Sequence, residues 1–489
     1  MSFSYSRSTP ELLSRRALLE RSGMGLGMLG MVGLLGDEKL LTAAPPRKRL
    51  LNPLAAQVPH FSPKVKRVIW LFINGGPSHI DTWDYKPALA NYHGKEYEGY
   101  DKFTGFFADQ VGTLMKSPFN FSPRGESGKM VSEIFPHLGE HVDKMAFIHS
   151  GYSSSNNHAP ALFMINSGQV QMGHPCLGSW VTYGLGSESS NLPGFVVMSD
   201  PKGRGLPKGY ANNWSAGFLP GAYQGTWLQP KGDPIQNLKR LPQTTDLQQR
   251  AQLDLMARLN NHDMKKHPHE AELAARIESF ELAYRMQMAA PEALDVEREP
   301  KHIQNLYGLN EEHCGHIARQ CLTARRLIER GVRFVQIYSG GMENQRSWDG
   351  HIDLYGNHKQ FALETDQPMA ALLTDLEQQG MLNDTLIVWG GEFGRAPVSQ
   401  IGSMKPGRDH NPHCFTTWMA GGGIKGGVSY GESDELGHKA EHNPVSVNDL
   451  HATILHLLGL DHERLTYKYN GRQFRLTDVS GQVLNQILA

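Results

Sequence analysis

Cysteine is scarce, with four residues in a chain of 489, which excludes a disulfide scaffold. Cys314 and Cys321 are seven positions apart on a predicted helix. That puts them about 10 Å apart along the helix axis, too far to bridge. Cys176 and Cys414 are left free to pair or to stay reduced. Long apolar runs are missing as well: no stretch of about 20 apolar residues is present to span a bilayer. Nor is there a surplus of charge. The formal net charge is -1, which excludes nucleic acid as the main partner. Beyond the first 45 residues there is no internal repeat and no low-complexity block.

What the chain does contain is histidine, 23 residues of it, much of it in polar, glycine-rich surroundings where packing into a core is a poor use. The length suits one large domain or two ordinary ones. The first 45 residues read as an address. Ser14-Arg15-Arg16-Ala17-Leu18-Leu19 is a twin-arginine pattern, followed by a short apolar segment at 23–35 and a small-residue pair at Ala43-Ala44. The expectation is export by the twin-arginine route to the periplasm or beyond. Residues 46–63 then read as a linker, and 64–489 as one domain. Within it, an elaborated loop region spans about 200–241 and a helical insertion about 244–331.

Several buried strands end the same way. The apolar run at 66–73 stops at Asn74-Gly75-Gly76 and delivers His79, Asp81 and Asp84. The run at 144–149 leads to Ser153-Ser154-Ser155-Asn156-Asn157-His158 and then a helix-compatible segment. There a hydroxyl or imidazole at a helix N-terminus suits a nucleophile or an oxyanion contact, and a plain N-cap is the alternative. The run at 333–338 ends in glycines and then Trp348-Asp349-Gly350-His351, a compact oxygen and nitrogen pair suited to a divalent metal. An amphipathic helix at 360–379 feeds the run at 385–389, completing a β-α-β crossover. That strand stops at Gly390-Gly391, and Glu392, Arg395, Arg408, Asp409, His410 and His413 follow. Unbroken apolar strands of this kind suit a parallel sheet, whose carboxyl-end crevice holds ligands. The tail at 471–477 reads as an edge strand. Trp214, Tyr223 and Trp227 suit either a sugar-stacking surface or loop packing. His313 and His316 suit a solvated helix face better than a metal.

Taken together, VIWLFINGGPSHIDTWDYKP, NNHAPALFMINSG, WDGH, DTLIVWGGEFGRAP, GRDHNPHCFTTWMAGGGIKGG and DLHATILHLLGL resemble the DUF1501 family, placed near sulfatases in the alkaline-phosphatase superfamily. The resemblance covers essentially all of the chain after the leader. It implies an α/β fold: a doubly wound sheet, mixed but mostly parallel, sandwiched by helices, with metal at the strands' carboxyl ends. Glu392-Phe393-Gly394 sits where sulfatase-like relatives carry Asp-His-Gly, so Glu392 resembles a metal carboxylate, and His410 is a candidate for the missing imidazole. Asp349 and His351 resemble metal ligands of phosphatase-like members. No C-x-P-S-R or S-x-P-S-R segment occurs, which argues against formylglycine chemistry, and His158 holds that place; either Ser154 or Ser155 takes over as nucleophile, or His158 binds metal, or a metal-bound water attacks directly.

The metal set expected from this reading is Asp81, Asp349, His351, Glu392 and His410, holding Zn, Ca, Mg or Mn. The catalytic set is His158, Ser155, Arg395 and Arg408, the arginines neutralising an oxyanion. The function implied is an exported metal-dependent hydrolase of sulfate or phosphate esters, acting on a small molecule or glycan. The alternative is a non-catalytic envelope protein of the same fold that binds sulfated or phosphorylated glycans.

Overall fold

The computed structural model describes residues 52–489 apart from 237, 241 and 267–270, with backbone alone at 261, 263–266 and 271–276. The leader-like segment at 1–45 and the first part of the linker lie outside the described residues.

The centre is a nine-stranded sheet. Its strands are β1 (Arg67–Ile73), β2 (Met145–Tyr152), β3 (Phe195–Met198), β4 (Thr226–Leu228), β5 (Phe334–Ser339), β6 (Thr385–Gly390), β7 (Phe415–Gly421), β8 (Val428–Tyr430) and β9 (Val445–Ser446). The order across the sheet is β8-β2-β7-β6-β1-β5-β3-β4, with β9 also paired to β2. β1 lies between β5 and β6 and is parallel to both. It is apolar at successive positions because both of its faces are covered. Ile69, Leu71 and Ile73 pack into one core, while Val68, Trp70 and Phe72 pack into the other, the two-residue alternation of a strand. Helices α1 (His158–Ser167), α2 (Leu177–Leu185) and α5 (Val447–Leu457) supply apolar residues to the second core; α3 (Gly315–Glu329) and α4 (Leu354–Gln378) supply the first. Residues 246–294 are also largely helical.

The polarity of one strand decides where the polar loops meet. β7 runs antiparallel to both β2 and β6, whereas every other pairing in this sheet is parallel. The segment that precedes β7 therefore arrives at the edge where β1, β2, β5 and β6 end. Five loops converge on that rim, as expected of an open α/β sheet.

Some expectations change in detail. The helix expected at 360–379 starts earlier, at Leu354, because the Asp353 side chain accepts from the Gly356 N–H and caps it. The tail is a separate hairpin, Tyr467–Tyr469 with Arg472–Phe474, instead of an edge of the central sheet. Its turn is Asn470-Gly471, both at positive φ, the two-residue turn that matches strand twist. Trp214 and Tyr223 are buried in the second core, so packing is their role, and the partly buried Trp227 donates its indole N–H to Ser199 at 3.0 Å. His316 faces Glu364 at 3.2 Å. All four cysteines are free and buried.

Candidate metal centre

His158, Asp349, His351 and His410 are brought together from three different loops, and their donor atoms all lie within 4.8 Å of one another. His158 is the first residue of α1, after β2, and Asn157 caps that helix. Asp349 and His351 follow β5. His410 precedes β7 and is fixed by a short antiparallel pairing of Gly394–Arg395 with His410–Asn411, in which Arg395 and His410 are opposed. All four side chains are buried.

Each imidazole has one nitrogen committed to an acceptor. His158 Nδ1 is 2.7 Å from Glu392 Oε1. His410 Nδ1 is 2.6 Å from the Asn156 carbonyl. His351 Nδ1 is 2.6 Å from Gln400 Oε1, and the Gln400 amide is oriented by donating to Gln110 at 2.6 Å. Carboxylates and carbonyls only accept, so each Nδ1 carries its hydrogen and each Nε2 is the inward atom, its lone pair available to a metal once no proton occupies it. Those atoms meet one another and Asp349. His351 Nε2 is 2.9 Å from His410 Nε2 and 2.9 Å from Asp349 Oδ1. His410 Nε2 is 3.2 Å from Asp349 Oδ1, and His158 Nε2 is 3.2 Å from Asp349 Oδ2 with no aligned hydrogen bond of its own. Ligands about 2.0 Å from a tetrahedral ion are about 3.3 Å from each other. The spacing and the donor chemistry fit a divalent cation.

The charge environment has a definite cause at each group. Burial pushes the Asp349 carboxyl up, but His158 and the Arg395 guanidinium outweigh it and hold it well below the usual carboxylate range. Burial pushes His158 down, but Asp349 and Glu392 outweigh it and raise it to about 9. Without a cation, a proton on His158 partly neutralises the two acids; a metal must displace it.

The sequence-expected residues therefore divide. Asp349, His351 and His410 stand in the cluster, and His158, expected in a catalytic role, stands with them as a fourth donor. Glu392, expected as a metal carboxylate, is not one of the four donors. It accepts from the Gly75 N–H at 3.0 Å and orients His158, an arrangement that tunes a metal-ligating imidazole. Gly75 adopts a φ of +107° beside Trp348 and Asp349, where a Cβ has no room. Arg395 is wholly buried and donates to Gly76, Arg408 and Gly75 carbonyls as well as to Asp349 at 2.6 Å. It neutralises Asp349, and four of its five N–H donors are spent inside the fold.

Asp81 is not in the cluster. It pairs with Arg408 at 2.7 Å, both side chains fully buried, and Arg408 spends its remaining donors on the Ala396, Pro397 and Met115 carbonyls. This pair ties loops together and does not meet a substrate. Asp81→Asn is expected to lower stability by about 3–5 kcal/mol, because it leaves a buried guanidinium uncompensated; a urea midpoint measures it. The Ser155 hydroxyl is engaged within its own turn, accepting from Asn157 N at 3.1 Å, and does not line the cavity. Asn156 and Gln400 are orienting residues that sequence reasoning did not single out. Nothing in their local sequence distinguishes them, since their role depends on contacts 254 and 49 positions away.

All four donor residues line a cavity of about 200 Å³, together with Phe106, Phe107, Asn157, Lys208, Glu343 and Asn344. The cluster thus faces an accessible space. Phe107 packs edge-on to His351, ring centroids 5.1 Å apart, and Lys208 and Glu343 form an ion pair at 3.0 Å. Glu392→Gln keeps an acceptor for Gly75 but weakens the hold on His158. It is expected to reduce divalent-metal affinity about 10- to 100-fold with the fold intact, measured by metal titration against circular dichroism.

A mostly parallel α/β sheet with a buried histidine and carboxylate cluster at its carboxyl edge defines the class: an α/β protein built around a candidate cation site. Residues 65–488 match the model of DUF1501, described as a protein of unknown function, and the chain belongs to that family. Comparison with curated protein sequences gives no match. Solved structures similar to the chain include the phosphonate monoester hydrolase SpPMH from Silicibacter pomeroyi, at 12% identity over 87% of this chain and 76% of that one, TM-score 0.35. A sulfatase from Pseudoalteromonas sp. has 11% identity over 82% and 68%, TM-score 0.34. A mutant TAB5 alkaline phosphatase with Mg bound has 10% identity over 82% and 99%, TM-score 0.35.

Proposed function

We propose that this chain is a divalent-metal-dependent hydrolase of phosphate or sulfate esters. The observation that carries the reading is the set of three inward imidazole nitrogens and one carboxylate, each fixed from outside, on the floor of a cavity. A divalent ion held by His158, Asp349, His351 and His410 supplies Lewis acidity, polarising an ester oxygen and acidifying water. An anionic ester suits the local charge. Asp349, Glu392 and Asp409, the last 3.8 Å from His351, bring three negative charges and Arg395 one positive, so a divalent ion cancels the negative charge that would repel an anion. Lys208 at the cavity wall adds a contact for an anion.

No serine, threonine or cysteine is among the described residues lining the cavity, so water is the nucleophile. Its oxygen bonds to phosphorus or sulfur as the ester bond breaks. Glu343, the lining carboxylate outside the cluster, takes the proton and passes it to the departing alcohol. Phe106 and Phe107 form part of the cavity wall. The test is turnover of aryl phosphates and aryl sulfates by full-length protein with Zn, Mn, Mg or Ca, before and after chelation. Metal-dependent release of the phenol supports the proposal; retention of a sulfated or phosphorylated glycan with no turnover under any ion favours a binding protein.

The leader-like residues 1–45 add the proposal that the enzyme works outside the cytoplasm, by twin-arginine export. A reporter fused to them is expected to be exported, and exchange of Arg15 and Arg16 for lysine to stop it.

A further inference from the structure

A second group of ligand-type side chains lies outside this centre. His79 opens the short helix that follows β1, Asp84 comes just after that helix, and Cys414 immediately precedes β7. One donor atom from each lies within 4.8 Å of the others, and all three residues are buried.

The imidazole carries the argument. His79 Nε2 is 2.8 Å from the Gly437 carbonyl, an acceptor, so the hydrogen sits on Nε2 and Nδ1 holds the lone pair. That Nδ1 is buried with no hydrogen-bond partner, in a side chain 1% exposed. It lies against Gly394 in the neighbourhood of the Cys414 backbone: a Cβ at Gly394 would collide with both His79 Nδ1 and the Cys414 carbonyl. An unsatisfied lone pair held in place through its other ring nitrogen is the usual arrangement of a metal-ligating histidine. Asp84 is steadied in the same way. Its Oδ2 accepts from the Ser433 hydroxyl and its Oδ1 faces Lys86 Nζ at 3.3 Å. The Cys414 thiol donates to the His149 carbonyl at 3.1 Å.

We propose that His79 Nδ1, the Asp84 carboxylate and Cys414 Sγ form a second metal site, sulfur-containing and distinct from the histidine and aspartate centre. Nitrogen, oxygen and sulfur together select a borderline-soft late first-row ion such as Zn2+ over Mg2+ or Ca2+. On binding, the Cys414 thiol gives its proton to solvent and the thiolate becomes the ligand. The two centres flank one short strand pairing. Phe393 packs against His158 and His410, with ring centroids 4.9 and 4.5 Å away, while the next residue, Gly394, abuts His79. The second ion joins the loop after β1 to the start of β7 and so buttresses the strand pair that carries His410. With Cys414 fully enclosed, the ion is taken up during folding.

Only this site has sulfur, which gives it a signature of its own. Full-length protein produced with Co2+ in place of zinc is expected to show a thiolate-to-cobalt charge-transfer absorption in the near ultraviolet. His351→Ala, which disturbs the first centre, is expected to keep that absorption. Cys414→Ser is expected to lose it together with one equivalent of cobalt, while keeping the cobalt of the first centre. Where Cys414→Ser fails to fold, His79→Gln, which leaves the thiol in place, is expected to bind cobalt at this site at least tenfold more weakly. A cobalt-loaded wild type with no sulfur charge-transfer band, or a band unchanged by Cys414→Ser or His79→Gln, overturns the proposal. The band is read without any turnover, so an inactive protein that shows it refutes the hydrolase reading alone.

Discussion

His351→Ala is expected to abolish ester turnover, lowering kcat/KM by at least about 100-fold, with loss of the bound divalent ion. The expectation follows from the position of the ring. His351 Nε2 is 2.9 Å from both Asp349 Oδ1 and His410 Nε2, so it sits between the carboxylate and another imidazole. Removing a group that only orients a ligand already lowers metal affinity or activity about 10- to 100-fold, and removing a ligand goes further. The contact with Gln400 is lost in the same step. The vacated ring volume lies beside the cavity, so water refills it and circular dichroism is expected to stay native. Metal content after gel filtration and initial rates on an aryl ester measure the effect. Retention of both ion and activity excludes His351 from the centre.

The second large effect is acid unfolding that begins just below neutral pH. Burial holds several histidines neutral: His358 is pushed down to about 3, and His438 and His451 to about 4. The structural cause is plain at His358, whose Nε2 accepts from the Ser78 N–H at 2.9 Å; a proton there breaks that bond. These groups have folded values below the unfolded value of 6.5. Between about pH 6.5 and 4 the unfolded chain therefore binds protons that the folded chain does not. Their stabilisation is complete above 6.5 and is lost as pH falls. Each contributes a slope of about 1.4 kcal/mol per pH unit. Asp366, raised by burial to about 6, works the other way and cancels one of the three below pH 6. These four groups together leave a slope of about 3 kcal/mol per pH unit, to which His149, pushed down by burial to about 3, adds in the same direction, against a whole-domain stability of about 5–15 kcal/mol. Urea midpoints are expected to fall steeply from pH 6.5 to 5, and His451→Gln to flatten the slope by about one proton. A midpoint flat across that range contradicts the assignment.

Much of this was legible in the sequence, and for a physical reason. Strands buried on both faces are apolar at every position, so β1, β5 and β6 stand out as runs ending in glycine, and their polar followers mark the rim. Asp349, His351 and His410 were identified that way. What a linear reading misses is partnership. Glu392 looks like a ligand because it follows β6 at once, yet its carboxylate turns to the Gly75 amide and His158. Asp81 and Arg408 look like site residues because they border glycine loops, yet each satisfies the other inside the fold. His158 has the same neighbours as a plain N-cap, and only the convergence of β2 with β5 and β7 makes it a donor. The reversal of β7 was not visible in its composition, and it is what carries His410 and Cys414 to the shared rim.

Anomalous diffraction at the zinc edge, on crystals of the full-length chain grown with zinc, tests the central claim most directly. The account predicts a peak about 2.0–2.2 Å from Nε2 of His158, His351 and His410 and from an Asp349 oxygen, at the base of the cavity beneath Phe107. No anomalous density among these four side chains, in crystals where they hold the positions described above, contradicts it.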